Sequence, residues 1–531
     1  MARQHETVGV GVLLGLLILA GTVRADEAAA LKAVEELGGR VTVDDKQPGN
    51  LVVSVDLRLT EVTDAGLKEL KELKSLQSLN LWSTAVTDAG LKELKELNSL
   101  QSLNLHFTAV TDAGLKELKD LKNLHWLDLG DTKITNAGLK ELKTLKSLQT
   151  LWLQNTDVTD AGLKELKAIK GLQALNLADT KLTDAGLKEL TELKDLQELH
   201  LDGTSVTDAG LKQLKALKCL RTLLLHNTKI TDAGLKELKE LQGLQTLDLR
   251  ETKVTAAGLK GLKGLKSLQT LNLNDVTDAV LRTLREIGLL HALTAATAKD
   301  GKRPSGPADV TMLDLEDTPV TDAGLKELKE FKRLQVLKLF RNSVTDAGLK
   351  ELKELKNLQE LHLDKTEVTD AGLKELKELK RLQTLWLSGP AVTDVGLKEL
   401  KELKNLQSLH LSGSKVTYAG MKELKALKSL QTLCLWTDAV TDAGLKELKE
   451  LRSLQYLDLT YTKITDAGLK ELKELNNLQE LHLNFTQVTD AGLKELKVLK
   501  SLKTLYLGQT KVTEAGEKEL QAARPELQIY R

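Results

Sequence analysis

The chain has 531 residues, with 76 lysines and arginines against 76 aspartates and glutamates, so its formal net charge is zero. Proteins that bind nucleic acids or anionic membranes draw affinity from a surplus of basic residues, so we expect neither partner. Two cysteines, Cys219 and Cys434, are too few for a disulfide-stabilised scaffold. The length exceeds that of one ordinary domain and predicts several domains or one repeat array.

Residues 1–25 are predicted to be a secretory signal peptide. Arg3 gives a positive start, an apolar run extends from Val8 to Gly21, and Val23 and Ala25 offer small residues for cleavage. We therefore expect a secreted protein, or one of the periplasm or cell envelope, with no membrane insertion after the signal is cleaved. An uncleaved N-terminal anchor stays open as the alternative.

Residues 26–51 are predicted to be an N-terminal cap. The segment 26–37 is rich in helix-forming residues and ends at Gly38 and Gly39, which favour a helix C-terminus. The segment from Val41 to Val55 can then supply an opening strand or hairpin. The exposed end of a repeat array requires a cap of this kind.

One phrase, V-T-D-A-G-L-K-E-L or a close variant, recurs nineteen times along the chain. Its period is 24 residues, apart from one step of 22 and one of 44. A period of this length is typical of solenoid repeats. The copies begin at Val62, Val86, Val110, Ile134, Val158, Leu182, Val206, Ile230, Val254, Val276, Val320, Val344, Val368, Val392, Val416, Val440, Ile464, Val488 and Val512.

The unit 62–85 illustrates the physical content of each repeat. Asp64 is predicted to cap a helix N-terminus, and leucines at three-residue spacing from Leu67 onwards predict one apolar helical face. Leu79 and Leu81 alternate with polar residues, as in a strand that is buried on one face. A helix and a strand in 24 residues leave one crossover per unit, which predicts parallel strands.

The strand half, L-x-x-L-x-L-x-x-T from Leu76 to Thr84, resembles the leucine-rich repeat, with threonine at the ninth position where asparagine or cysteine is usual. The helical half, V-T-D-A-G-L, is similar to repeats of bacterial, planctomycete-type secreted leucine-rich-repeat proteins and of F-box leucine-rich proteins. The resemblance implies an α/β fold, which is a curved solenoid of about nineteen strands with a parallel inner sheet and outer helices.

The array is interrupted once. Residues 279–309 hold a helical pattern and then a loop with proline and glycine, which predicts a junction between a first array, residues 52–278, and a second array with a C-terminal cap, residues 310–531. A surface loop within one continuous solenoid is the alternative. Three basic residues of this loop are interpreted as solvated rather than as a site, namely Lys299, Lys302 and Arg303.

The segment 527–530 is predicted to form the last edge strand.

When Leu76 is counted as position 1 of its repeat, side chains at positions 3, 5 and 7 should point away from the core, onto what we call the concave face. Position 8 should lie at its rim. Eleven of the 14 aromatic residues and six of the nine histidines occupy these four positions. Exposed aromatic residues are typical of binding hot spots, although strand packing alone is an alternative explanation. The predicted ligand-binding residues are Trp82, His106, Phe107, Trp126, Trp152, His200, His226, Phe340, His362, Trp386, His410, Trp436, Tyr456, His482 and Tyr506.

Three strands carry the pattern Glu-x-His-x-Asp or Glu-x-His-x-Asn. Alternation places each set on one face, where such residues can hold a metal or transfer protons. We favour a solvated polar surface, because catalysis prefers a cleft that excludes water. We therefore expect no catalytic residue, no metal and no cofactor, and thus no enzyme. The three sets are Glu198, His200 and Asp202; Glu360, His362 and Asp364; and Glu480, His482 and Asn484.

The predicted function is a non-enzymatic binding scaffold that recognises a protein ligand, or a polysaccharide, on the concave face. The alternative is an F-box-like adaptor that selects substrates for ubiquitin-dependent protein degradation. That alternative needs a further module ahead of the repeats, for which residues 26–51 are short.

Overall fold

The structure is a computed structural model that describes residues 25–44 and 51–531. The chain forms two compact units, which divide between Asn274 and Asp275. The predicted signal peptide lies outside the described residues except for Ala25, and so does the part of the predicted cap at residues 45–50. Within the described ranges, no helix is both long enough and apolar enough to cross a membrane. The boundaries predicted for the cap and the two arrays stay predictions.

The first unit contains one sheet whose strands follow one another in chain order. They are β1 (Arg40–Asp44), β2 (Leu51–Asp56), β3 (Ser78–Asn80), β4 (Ser102–Asn104), β5 (Trp126–Asp128), β6 (Thr150–Trp152), β7 (Ala174–Asn176), β8 (Glu198–His200), β9 (Thr222–Leu224), β10 (Thr246–Asp248) and β11 (Thr270–Asn272). β1 and β2 are antiparallel, and every later pair is parallel.

The second unit repeats this arrangement. Its strands are β12 (Ala296–Thr297), β13 (Met312–Asp314), β14 (Val336–Lys338), β15 (Glu360–His362), β16 (Thr384–Trp386), β17 (Ser408–His410), β18 (Thr432–Cys434), β19 (Tyr456–Asp458), β20 (Glu480–His482), β21 (Thr504–Tyr506) and β22 (Gln528–Tyr530). β12 and β13 are antiparallel, and the later pairs are parallel. The described residues thus hold the nineteen expected strands and three more, which are β1, β12 and the final strand β22.

Short helices connect the strands, and in most repeats one turn of α-helix passes directly into a 3-10 helix. The α-helices are Ala25–Glu36, Asp64–Leu67, Asp88–Leu91, Asp112–Leu115, Asn136–Leu142, Asp160–Leu163, Asp184–Glu189, Asp208–Leu214, Asp232–Leu235, Asp278–Ile287, Asp322–Leu325, Asp346–Leu349, Asp370–Leu373, Asp394–Glu399, Tyr418–Leu424, Asp442–Leu445, Asp466–Leu469, Asp490–Leu493 and Glu514–Ala523. The 3-10 helices are Lys68–Glu72, Lys92–Glu96, Lys116–Asp120, Lys164–Ala168, Leu190–Glu192, Lys236–Glu240, Gly258–Leu262, Leu290–Ala292, Lys299–Gly301, Pro307–Asp309, Lys326–Glu330, Lys350–Glu354, Lys374–Glu378, Leu400–Glu402, Lys446–Glu450, Lys470–Glu474 and Lys494–Val498.

The core of each unit is a stack of leucines, as the repeat pattern predicts. In the repeat 62–85, the seven apolar side chains of the pattern are each at most 1% exposed. One such layer cannot offset the conformational entropy of ordering 24 residues, so neighbouring layers must stabilise one another. The buried side chains of this repeat are Val62, Leu67, Leu70, Leu73, Leu76, Leu79 and Leu81.

The predicted role of Asp64 is wrong. The residue before it, Thr63, occupies the N-cap position, and Asp64 is the first residue of the helix. Its carboxylate reaches the next repeat instead. Oδ1 accepts a hydrogen bond from the backbone N–H of Thr87 (2.7 Å), and Oδ2 accepts one from the Thr87 hydroxyl (2.7 Å). We call this pair of bonds the Asp–Thr clamp.

The clamp explains the phrase T-D-A-G. The Thr87 hydroxyl also accepts a hydrogen bond from the N–H of Ala89, so one threonine both caps its own helix and receives the preceding aspartate. A Cβ atom at Gly90 would lie 2.5 Å from Asp64 Oδ1, so only glycine fits beside the clamp. The clamp recurs in both units, and its other pairs are Asp88–Thr111, Asp112–Thr135, Asp160–Thr183, Asp184–Thr207, Asp208–Thr231, Asp232–Thr255, Asp278–Thr321, Asp322–Thr345, Asp346–Thr369, Asp370–Thr393, Asp394–Thr417, Asp442–Thr465, Asp466–Thr489 and Asp490–Thr513.

The strand of each repeat ends in a tight left-handed turn at positions 8 and 9. Ser83 at position 8 has φ 54°, and most other residues at this position have φ in the same range. The hydroxyl of Thr84 at position 9 donates a hydrogen bond to the Leu81 carbonyl (2.7 Å). Threonine therefore satisfies the turn backbone within its own repeat, where the usual leucine-rich repeat has asparagine or cysteine.

The interpretation of Arg303 as a solvated loop residue is wrong. Its guanidinium group donates hydrogen bonds to four backbone carbonyls at the start of the second unit. It therefore holds the segment around β12 against the loop that follows. The accepting carbonyls belong to Ala292, Leu293, Thr294 and Ala296.

Candidate functional site

The fifteen predicted ligand-binding residues all lie outside the leucine core. Phe107 and Trp436 are the most exposed, at 61% and 46%, and the other thirteen are half-buried. Each strand positions these side chains by alternation, because the leucines at positions 4 and 6 fill the core and leave positions 3, 5 and 7 on the concave face. Their assignment to a ligand stays a prediction.

In the first unit the aromatic residues form separate pairs. Trp126 and Trp152 meet edge to face, with ring centroids 5.4 Å apart, and Trp82 lies 6.4 Å from the His106 ring. Phe107, the residue after His106, occupies a left-handed turn position, with φ 55°. Bulky residues adopt this conformation at a cost, so an exposed aromatic side chain here requires support from the surrounding turn.

His106 is engaged with the protein itself. Its Nε2 atom lies 3.2 Å from Asp131 Oδ2, and its Nδ1 atom lies 3.0 Å from the side-chain amide of Gln154 and 3.5 Å from Asp128. Burial raises the pKa of Asp128. Gly130 makes this arrangement possible, since a Cβ there would overlap the Gln154 amide. This histidine therefore contributes to the packing of strands β4 to β6.

In the second unit, position 5 carries a row of neighbouring rings, of which one pair is stacked and one is tilted. His362, Trp386 and His410 follow one another on neighbouring strands, with centroid distances of 5.2 Å and 3.6 Å. The Trp386 and His410 planes differ by 3°, so the ring faces meet across the strands. Burial lowers the pKa of His410, which keeps this ring neutral for stacking.

A second row of rings lies further along the same sheet. His482 stacks on Tyr506 at 4.1 Å, and Tyr506 stacks on Tyr530 at 4.9 Å. Sequence reasoning predicted the strand at the end of the chain but missed Tyr530 as part of this row. The signal was available, because β21 and β22 pair in register and set Tyr530 directly opposite Tyr506.

Six of the predicted residues line one groove of about 930 Å³ on the concave face of the second unit. This volume is at the upper end of those typical of ligand sites. The predicted lining residues are Phe340, His362, Trp386, His410, Trp436 and Tyr456. The lining residues outside the predicted ligand-binding set are Glu316, Asp364, Lys365, Ser388, Gly389, Pro390, Ser412, Gly413, Cys434 and Asp458.

Small residues open the groove. At position 7, Phe340 after β14 and Trp436 after β18 are large, whereas this position in between holds Asp364, Ser388 and Ser412. Position 8 is Gly389 and then Gly413, both with positive φ. The floor formed by Trp386 and His410 is therefore left uncovered between two large aromatic side chains.

The repeats that form the groove also depart from the consensus of the array. Threonine at position 9 is replaced in three consecutive repeats by Pro390, Ser414 and Asp438. The clamp aspartate is replaced by Tyr418, and no side-chain hydrogen bond caps the following helix at Thr441. Natural sequences break local rules mainly at functional or strained sites.

The Glu-x-His-x-Asp and Glu-x-His-x-Asn sets are internally paired. In each set the histidine Nε2 lies 2.6–2.7 Å from the glutamate of its own strand. These hydrogen bonds lower the pKa of Glu198 and of Glu360. The third residue accepts a backbone N–H of the next strand, as Asp202 does from His226 (2.8 Å). The residues described by the structure contain no group of three or more acidic, histidine or cysteine side chains placed to hold a metal.

The two cysteines should differ in reactivity. Both are free thiols, but Cys219 is exposed whereas Cys434 is buried in the groove floor. Burial raises the pKa of the Cys434 thiol to about 12, and the thiolate is the reactive form. We expect a maleimide to label Cys219 completely in the native protein and to label Cys434 only after unfolding, as peptide mass spectrometry would detect. Equal labelling of both in the native state would contradict this placement of Cys434.

Two family models match the sequence. One, described as a leucine-rich repeat region, matches residues 318–515, and the other, described as a leucine-rich repeat, matches residues 96–119 and 172–190. The fold is a leucine-rich-repeat solenoid. No curated protein sequence is significantly similar to the chain.

Solved leucine-rich-repeat structures resemble this solenoid. A leucine-rich-repeat protein of Leptospira interrogans is 26% identical, with 83% of this chain and 92% of that chain covered and a TM-score of 0.40. An internalin of Listeria monocytogenes is 22% identical, with coverage of 69% and 88% and a TM-score of 0.35. The Arabidopsis receptor kinase HAESA, solved with a peptide hormone and a co-receptor, is 17% identical, with coverage of 94% and 90% and a TM-score of 0.42.

Proposed function

We propose that the protein is a non-enzymatic binding scaffold that recognises a protein ligand in the groove of the second unit. The observation that carries this proposal is that the consensus of the repeats fails in the turns that directly follow β16, β17 and β18, the three strands that form the groove floor. The fold of a repeat is accounted for by its leucines, its threonines, the clamp aspartate and the glycine beside the clamp. The Ser-Gly turns and the exposed Trp436 ring therefore require another explanation, which a bound partner supplies.

The chemistry of the groove supports recognition. Trp436 is 46% exposed, and its ring adds apolar surface that the solenoid does not need for stability. Tryptophan and tyrosine dominate binding hot spots, and the best of them lie in concave surroundings that exclude water. Sheet packing alone accounts for Trp386, which stacks on His410, but not for Trp436.

A protein ligand fits this lining better than an acidic polysaccharide. Three carboxylates line the groove, from Glu316, Asp364 and Asp458, against one lysine, Lys365. Such a lining repels acidic polysaccharides. No described feature favours the F-box-like adaptor. We further expect the protein to act outside the cytoplasm, in keeping with the predicted signal peptide and with the planctomycete-type resemblance.

The proposal is tested by affinity capture with three baits. The wild-type chain, a groove variant with Trp386→Ala and Trp436→Ala, and a variant of the first patch with Trp82→Ala, Trp126→Ala and Trp152→Ala are incubated with material from the native surroundings. We expect the groove variant to capture at least tenfold less of the specifically bound protein than the wild type, because hot-spot tryptophans carry much of the binding energy. We expect the first-patch variant to retain it. Equal capture by the groove variant and the wild type would refute the proposal.

A further inference from the structure

The groove is elongated across the strands. Its lining runs from Glu316, which follows β13, to Tyr456 and Asp458 on β19. Six strand spacings of about 4.8 Å give a length of roughly 29 Å. An extended polypeptide advances about 3.4 Å per residue, so this length accommodates roughly eight residues. The shape thus suits a linear segment of a partner rather than a compact small molecule.

At its β19 end, the groove is lined by a buried carboxylate, that of Asp458. It is 2% exposed, and its Oδ1 accepts a hydrogen bond from the N–H of Thr460 (2.9 Å). Its other carboxylate oxygen lies 4.0 Å from His482 Nδ1, and the Nε2 of that histidine is already bonded to Glu480 (2.7 Å). Among the described residues, no lysine or arginine forms an ion pair with Asp458.

The other position-5 aspartates of the array have basic or histidine partners closer than the 4.0 Å that separates Asp458 from His482. Asp128 lies against His106, and three further aspartates each form an ion pair with a lysine or arginine. Asp458 alone among these five described residues lines the groove. A buried carboxylate without a nearby cation is unfavourable in an apolar setting. The three ion pairs are Arg58–Asp56 (3.1 Å), Arg250–Asp248 (2.6 Å) and Lys338–Asp314 (3.1 Å).

Two aromatic residues line the groove at the same end as Asp458. Tyr456 shares its strand, and Trp436 closes this end of the groove. Burial and the neighbouring Asp458 raise the pKa of Tyr456, so its ring stays neutral. Lys365 lies at the opposite end, 5.4 Å from the Phe340 ring. A cation over an aromatic face, with a carboxylate beneath it in a low-dielectric setting, is held by both attractions.

We propose that the groove binds an extended segment of a partner protein and holds one of its lysine or arginine side chains beside Trp436, Tyr456 and Asp458. This inference rests on the proposed function and deepens it. It assigns the specificity of the groove to a cationic side chain, whereas the stacked floor of Trp386 and His410 accommodates the apolar neighbours of that side chain.

The test uses the full chain, immobilised, and three pools of acetylated nonapeptide amides. The central residue is arginine, citrulline or norleucine, and the flanking positions are mixtures of alanine, leucine, serine and tyrosine. Citrulline keeps the shape of arginine but removes its charge. We expect the arginine pool to be retained about tenfold better than the citrulline pool, as a cation–π contact with a charge partner predicts.

Asp458→Asn is the decisive variant, because asparagine occupies the same position in the well-formed repeats at Asn80 and Asn104 and accepts the equivalent N–H. It should abolish the preference for arginine, whereas the matched control Asp248→Asn in the first unit should preserve it. Equal retention of the arginine and citrulline pools, or no retention of any pool, would overturn the inference. So would displacement of the arginine pool by equimolar spermidine, which would indicate a free polyamine. The capture experiment still decides the proposed function in each of these cases.

Discussion

Replacing Gly234 by alanine should destabilise the first unit by about 3 kcal/mol, within the range of overpacked cores and broken charged hydrogen bonds. The new Cβ would lie 3.0 Å from Asp208 Cγ and 3.1 Å from Leu211 Cδ1, and closer still to the Oδ1 that accepts the Thr231 N–H. Either the clamp opens or the two repeats separate. The intrinsic helical preference for alanine offsets only about 1 kcal/mol of this cost.

The measurement is unfolding in urea, with circular dichroism as the signal. Gly171→Ala is the matched control, because nothing lies within 4 Å of a Cβ at that position and its φ is ordinary. We expect the free energy of unfolding of the control to stay within about 0.5 kcal/mol of the wild type, the range of a neutral surface change. A Gly234→Ala protein as stable as the control would show that neighbouring repeats are not held at the distance that the structure describes.

Much of the fold could be predicted because it follows from periodicity. Leucines at fixed positions in a 24-residue period determine which side chains are buried, and alternation then determines which residues share the concave face. The role of Asp64 could not be predicted in this way. Capping preferences are local, and they favour both Thr63 and Asp64 as the N-cap. The bond to Thr87 spans 23 residues and depends on how tightly two repeats stack.

Only the large aromatic residues of the groove could be predicted from the sequence. A search for large exposed side chains finds Trp386 and Trp436, but the groove exists because the residues between them are small. Gly389 and Gly413 have no side chain that could indicate a function. Their role becomes visible only when each repeat is compared with the next. The sequence does not single out Asp458, because its importance depends on a lysine or arginine partner that three of its four counterparts have and that it lacks.

Removing the clamp carboxylate should have the second large effect. Asp208→Ala leaves the N–H and the hydroxyl of Thr231 without the acceptors that they have at 2.8 Å and 2.6 Å. Unsatisfied, partly buried donors that have lost a charged partner cost about 2–3 kcal/mol. We expect a loss of this size in the free energy of unfolding, and a matching loss of hydrogen-exchange protection at the Thr231 amide.

Asp208→Asn is the control that the chain itself provides. At Asn136 the side-chain oxygen accepts the Thr159 N–H (2.9 Å) and the amide donates to the Thr159 hydroxyl (2.9 Å), but the hydroxyl no longer caps its helix. Asparagine should therefore cost only about 1 kcal/mol, the value of one N-cap bond.

Because the Gly234→Ala clash is with the Asp208 carboxylate, the double variant Asp208→Ala, Gly234→Ala should lose less stability than the sum of the two single losses. Strict additivity would mean that the glycine is required for some other contact, and the clamp would not explain the conserved spacing of T-D-A-G within this chain.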